Sequence, residues 1–143
     1  KKDIDLLEAY YGGLIRTGMH EKAEKELAAD LRREWRPRLV RLFGIVEGID
    51  PPRQLKKAEN WLKKHGEDPD LLLATARLCL RNELWGKARE YFETSLRLRR
   101  SRETLAELSR LNAHMGEEEV SIKLMMQGLA NDNGLPELPM PRA

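Results

Sequence analysis

Apolar residues recur along this chain at helical spacing almost without interruption, and no segment shows the strict apolar–polar alternation of a half-buried strand. Leu7, Tyr10, Tyr11 and Leu14 share one face of a first helix, which Gly18 ends. Ala23 and Leu27 open the packing face of the next. Leu42, Ile45, Val46 and Ile49 repeat the first spacing, and Ala58 with Leu62 repeats the second. A third pair of helices carries Leu72 and the small Ala76, then Ala88 and Phe92. The fourth carries Leu105, Leu108, Ser109 and Asn112, is broken at Gly116, and resumes with Ser121, Met125 and Gly128. Helix starts are marked by Asp50 before Pro51-Pro52, by Asp68 before Pro69 and by Ser101. In each a short polar side chain can accept from a free backbone N–H, and a first-turn proline has no N–H to lose. The pattern predicts about eight antiparallel helices.

The pairs are evenly spaced. Leu7 to Ala23, Leu42 to Ala58, Leu72 to Ala88 and Leu105 to Ser121 are each 16 residues apart. Successive small residues fall 35, 30 and 33 positions apart, so the register drifts only in the connections. Ala88-x3-Phe92 after a first helix of this length is the core of the tetratricopeptide (TPR) pattern, whose repeat is about 34 residues. The expected fold is therefore all-α: a TPR-like, right-handed helical solenoid of about four helix–turn–helix units. The units cover residues 3–36, 37–67, 68–100 and 101–134. The proline-rich tail, 135–143, is predicted to run extended, because prolines lack a donor and restrict their predecessors. Leu135, Leu138 and Met140 are expected to fold back over the last helix. Gly12-Gly13 is expected to mark a close helix approach. Trp35, Trp61 and Trp85 are expected to pack between repeats, and Met125 to fill the core beside Met126.

Composition narrows the function. Charged residues make up 35% and aromatics 6%, which suits exposed helices with narrow apolar stripes. With 26 basic and 24 acidic side chains the net charge is +2, and no concentrated basic face argues for nucleic acid. A single cysteine excludes an internal disulfide and leans towards the cytosol. No apolar run approaches the roughly 18 residues of a membrane span, and no signal peptide is seen. The chain starts at Lys1 without an initiator Met, which reads as a piece of a longer protein.

Some stretches go further than a generic repeat. They are Glu34-Trp35, Leu39-Val40-Arg41-Leu42-Phe43-Gly44, Ala58-Glu59-Asn60-Trp61-Leu62, the run from Arg77 through Cys79-Leu80-Arg81-Asn82-Glu83-Leu84-Trp85 to Phe92, and the proline-rich ending. Together, and in this order, they resemble the C-terminal TPR region of the HemY family of proteobacterial inner-membrane proteins. That resemblance implies a hairpin of two membrane helices ahead of the repeats and a site at the cytoplasmic face of the inner membrane. It also implies an association with haem and porphyrin biosynthesis. An unrelated flavin-dependent protoporphyrinogen oxidase shares the name, but this chain has no G-x-G-x-x-G dinucleotide fingerprint.

In TPR stacks the first helices line a concave groove. Transferring the spacing puts Glu8, Arg16, Phe43, Glu47, Leu73, Arg77, Arg81, Arg110 and His114 on or near it. Arg77 and Arg81 form an i, i+4 pair, and Arg110 stands at the place equivalent to Arg77 in the next repeat. Three guanidinium groups there can grip a partner's carboxylates in bidentate fashion. On the other reading they pair with Glu107 or similar neighbours on an ordinary solvated face. Groove asparagines and lysines of the kind that clamp acidic chaperone C-termini are not found.

His20, His65 and His114 are not spaced to share a metal, and Cys79 is followed by Leu80 rather than by the proline of Cys-Pro haem motifs. Cys79 falls on the packing face, as a small hydrophobe. No cofactor or metal is expected. Glu117-Glu118-Glu119 and similar acidic residues lack a base–nucleophile pairing, so no catalytic residue is expected either. The function read from the chain is a non-enzymatic scaffold or adaptor for protein partners, with porphyrin-pathway enzymes implied by the resemblance. The alternative is a haem or porphyrin carrier whose propionates meet Arg77, Arg81 and Arg110. If preceding repeats are missing, the apolar faces near Leu6 and Tyr10 lack neighbours, and such a face favours dimerisation.

Overall fold

A computed structural model of the chain describes residues 3–116, 124–128 and 140–141. Among them there is no strand. Seven helices follow one another: α1 (Ile4–Arg16), α2 (His20–Arg33), α3 (Pro37–Phe43), α4 (Pro51–His65), α5 (Pro69–Arg81), α6 (Trp85–Leu98) and α7 (Arg102–His114). Residues 124–128 are helical as well. The odd helices touch in succession, α1 on α3 and α3 on α5, while α2 packs on α3, α4 on α5 and α6 on α7. Every even helix thus lies against the odd helix that follows it.

Small residues set these contacts. Ala23, Ala58 and Ala88, on α2, α4 and α6, are completely buried, as are Leu27 and Phe92 one turn further on. Helix α5 sits between α3, α4 and α6, and every residue from 70 to 80 is buried. A helix apolar nearly all round has to be central. Trp35, Trp61 and Trp85 are half-buried against the core.

Three odd helices share one frame. Asp3, Asp68 and Ser101 cap α1, α5 and α7 with side-chain oxygens that accept from Asp5, Asp70 and Thr104 N–H groups. Each cap stands four residues before Leu7, Leu72 or Leu105. Eleven residues after those leucines come Gly18 (φ 80°), Glu83 (φ 57°) and Gly116 (φ 85°), each in the left-handed conformation that ends a helix. The closing bond is the same where α1 and α5 end: Met19 N–H to the Leu14 carbonyl at 2.8 Å, and Leu84 N–H to the Cys79 carbonyl at 2.9 Å.

The second pair departs from that frame. The sequence spacing carries a helix through Ile49, but α3 stops at Phe43 and residues 44–50 are not helical. Ile45 and Val46 lie between Gly44 and Gly48, and β-branched residues among glycines are weak helix formers. Ile49 is 80% exposed and Leu42 only half-buried.

Other expectations are also corrected. Gly12 and Gly13 mark no close approach, since a Cβ there would meet only the Arg16 guanidinium of the same helix, at 3.2 and 3.9 Å. Close approach occurs instead at Gly44, where a Cβ would come within 2.6 Å of the Ala74 Cα, and at Gly128 against Leu105. Met125 is exposed rather than core-filling. Met140 rests against the core. Leu135, Leu138, Ser121 and Glu117 to Glu119 lie outside the described residues.

Candidate interaction surface

Of the residues the sequence places on a groove, the structure brings some to the surface and takes others inside. Arg16, Glu47 and His114 are exposed. Phe43 and Leu73 lie in the core, in α3 and α5. Glu8 is half-buried and paired with Arg38 of α3. Arg81 and Arg110 are half-buried, and Arg77 is almost completely buried at 1% exposure.

Arg77 sits in a chain of alternating charges that crosses from α3 to α7. Its Nε donates to Glu107 Oε2 at 2.9 Å and its Nη2 to Glu103 Oε2 at 3.2 Å. Glu107 also accepts from Arg110 Nη2 at 2.5 Å, and Glu103 pairs with Arg41. Arg41 Nε lies 3.4 Å from Asp70, which accepts two bonds from Arg99 at 2.5 and 3.2 Å. Burial alone would raise the Glu103 carboxyl, but the hydrogen bond from Arg41 and the charge of Arg77 outweigh it and hold the group below the usual range. Arg77 and Arg110 thus both pair with Glu107, Arg77 in the interior rather than on a solvated face, while Arg81 does not. Glu103 and Glu107 stand one helical turn apart, and that i, i+4 acidic pair, 26 and 30 residues after Arg77, is the signal by which sequence reasoning could have found the whole network.

Arg81 does different work. Its guanidinium donates to the Val46 carbonyl at 3.3 Å and to the Gly48 carbonyl at 3.5 Å. The same 44–50 segment is held by two further side chains, and a third bonds to the first residue of α4. Buried Gln54 donates to the Phe43 and Val46 carbonyls at 3.0 Å each and accepts from Gly48 N–H at 3.2 Å. His20 Nδ1 accepts from Glu47 N–H at 2.9 Å, and Asn82 donates to the Pro51 carbonyl at 3.1 Å. A non-helical segment is thereby pinned from α2, α4 and α5, and its backbone groups find the partners a helix would have supplied. Sequence reading missed Gln54, because a glutamine on a helix carries no mark of burial.

Two clusters lie outside the predicted groove. Trp35 stacks on His65 with ring centres 3.8 Å apart and meets Trp61 edge-on at 5.5 Å. Its Nε1–H donates to Asp68 at 2.8 Å, which ties the end of α2 to the cap of α5. At the other end a cavity of about 450 Å³ opens between α1 and α2. Leu6, Leu7, Tyr10 and Tyr11 form its apolar wall, with Asp3, Glu26 and Asp30 around them. Tyr10 donates to Glu26 at 2.6 Å and Tyr11 donates to Asp30.

The chemistry of the remaining groups is quiet. Cys79 is fully buried and burial pushes its thiol up to about 12, so the reactive thiolate is disfavoured. Among the described residues no three His, Cys, Asp or Glu side chains converge to hold a metal ion, and no helix is long and apolar enough to cross a membrane. No family model, curated protein or solved structure matches this chain.

Proposed function

We propose that this chain is a non-enzymatic, TPR-like helical scaffold that holds protein partners. The observation that supports this reading best is the frame shared by α1, α5 and α7: cap, leucine four residues on, left-handed residue eleven after that. Repeated helical units of this kind build extended surfaces whose accessible residues recognise other proteins. The accessible residues of the predicted groove are Arg16, Glu47 and His114, with Arg81 and Arg110 in part. Resemblance to the HemY family takes the proposal one step further, to porphyrin-pathway enzymes as partners at the cytoplasmic face of a bacterial inner membrane. Propionates of a tetrapyrrole would have to displace Glu103 and Glu107 from Arg77 and Arg110, so protein partners are the preferred reading.

A photo-crosslinking amino acid at position 16, 47 or 114 tests this, with positions 25 and 63 on the exposed sides of α2 and α4 as controls. Crosslinks to porphyrin-pathway enzymes from the first set alone are expected. Equal capture from both sets, or none from either, would overturn the groove as the binding surface.

A further inference from the structure

Ala23, Ala58 and Ala88, each completely buried, put α2, α4 and α6 in one register. In that register the solvent side of α4 is made by Arg53, Lys56, Lys57, Asn60, Lys63 and Lys64, all exposed. At the pitch of an α-helix these six project within an arc of about 120° along about 17 Å of helix. Asn60 apart, all are cations. At the equivalent positions α6 carries Glu83, Glu90 and Glu93 with the single cation Lys87, and α2 carries Glu21, Lys22 and Lys25. A basic stripe thus belongs to one helix of the three, and totals of 26 basic and 24 acidic side chains conceal it.

Cations on other helices meet carboxylates of the chain itself: Lys22 pairs with Glu26, Arg38 with Asp5 and Glu8, Lys87 with Glu59 and Arg99 with Asp70. Among the described residues, Arg53, Lys56, Lys57, Lys63 and Lys64 have no carboxylate within ion-pair distance. The two carboxylates nearest the stripe do not neutralise it. Burial raises the Glu24 carboxyl against the charges of Lys57 and Arg53, and Glu59 is taken by Lys87 and Tyr91 of α6. Nor does the stripe stabilise its own helix throughout. Lys63 and Lys64 suit the C-terminal end of the dipole, but Arg53 stands in the first turn and repels Lys56 and Lys57 one turn on.

Charge makes the partner an anion, and width decides its class. A membrane surface or a nucleic-acid duplex spreads its charge wider than one helix and would meet Glu21, Glu90 and Glu93 on the neighbouring helices, which costs free energy. A single nucleic-acid strand needs aromatic faces for its bases, and Trp61 of α4 is half-buried against Trp35 and Phe43. A linear acidic chain fits the stripe alone. We propose that the exposed face of α4 docks an acidic segment of a partner protein, its carboxylates meeting Arg53, Lys56, Lys57, Lys63 and Lys64. The inference rests on the reading of the chain as a protein-binding scaffold and adds a second surface, on the side of α4 turned away from α5.

The probe is an Ala/Glu peptide of about sixteen residues with its glutamates on one helical side. Titration of the folded chain with it is followed by amide chemical shifts. Saturable shifts centred on residues 53–64 are expected. Lys56→Glu, Lys57→Glu and Lys64→Glu combined should weaken binding by about tenfold or more with the melting temperature unchanged. Lys25→Glu, Arg32→Glu and Arg102→Glu combined change the net charge equally at exposed positions elsewhere, and should weaken it by less than about threefold. Phosphatidylglycerol vesicles, duplex DNA and single-stranded DNA are the competing anions. No saturation by the peptide at millimolar concentration, or an equal loss in both triple variants, overturns the proposal. So do vesicles or DNA that occupy residues 53–64 more tightly than the peptide. The stripe and the groove take different partners, so crosslinks from positions 16, 47 and 114 test the scaffold reading separately. A porphyrin-pathway enzyme caught at position 63 would still count against the groove.

Discussion

Arg77 on α5 and Glu107 on α7 form a hydrogen-bonded ion pair across 30 residues of sequence, with both side chains almost entirely out of water. Removing one partner strands a buried charge. Arg77→Met should therefore cost about 3–5 kcal/mol of stability. Adding Glu107→Leu should recover a large part of that loss, since Arg110 reaches solvent and Glu103 keeps Arg41. Urea unfolding of the two single variants and the double gives the coupling directly. Simple additivity would show that the pair does not act as a unit.

The glycines should respond in opposite directions. Gly44→Ala drives a methyl group into the Ala74 backbone and should destabilise by about 1–3 kcal/mol. Gly12→Ala and Gly13→Ala meet only a flexible guanidinium and should each gain about 0.5–1 kcal/mol from helix propensity. Glu83→Gly relieves a left-handed non-glycine residue, against a larger entropy of the unfolded chain, and should gain roughly 0.5 kcal/mol. Thermal melts in one buffer would rank all four. A Gly12→Ala variant less stable than the parent would contradict the contact geometry of α1.

Gln54 is expected to be the most sensitive neutral polar residue. Gln54→Leu removes the partners of the Phe43 carbonyl and Gly48 N–H, while the Val46 carbonyl keeps Arg81. Each orphaned buried group costs about 1–3 kcal/mol, so a loss of about 2–4 kcal/mol is expected. Hydrogen exchange at Gly48 should accelerate more than exchange in α5. Unchanged protection at Gly48 would remove Gln54 from the account of this segment.

Two glutamates should leave opposite marks on the pH dependence. Glu103 is held below its ordinary value of 4.5, its burial outweighed by Arg41 and Arg77. Its contribution is full above that pH and is lost as pH falls through 4.5 and below. Glu24 is raised above 4.5, chiefly by burial and against the pull of Lys57, so ionising it costs stability as pH rises through that value. Glu103→Gln should flatten the acid limb of stability against pH. Glu24→Gln should stabilise at neutral pH and change nothing below about pH 4. Urea midpoints between pH 3 and 7 check both, and parallel curves for parent and variants would refute the assignment.

The helical units were largely legible because their signals are local. A cap acts within one turn, a left-handed residue closes the last turn, and an apolar face repeats every three or four positions. Asp68, Ser101, Ala88 and Phe92 could therefore be placed from the chain alone. The candidate surface was less legible. Helical spacing put Phe43, Leu73 and Arg77 on one exposed face, and all three are buried. A residue's angular position on its helix is a local property, whereas its exposure depends on what packs against that position.

By itself, then, the amino-acid sequence determined the all-helical character, most helix boundaries and the burial of Ala23, Ala58 and Ala88. Only the tertiary structure decided that α5 is enclosed, that Arg77 meets glutamates 26 and 30 residues on, and that α3 stops short at Gly44. Hydrogen bonds between residues i and i+4 are written in adjacent letters of the chain. Desolvation is not, because whether Arg77 becomes a ligand for a partner or an internal strut depends on α7, 30 residues on, supplying Glu107.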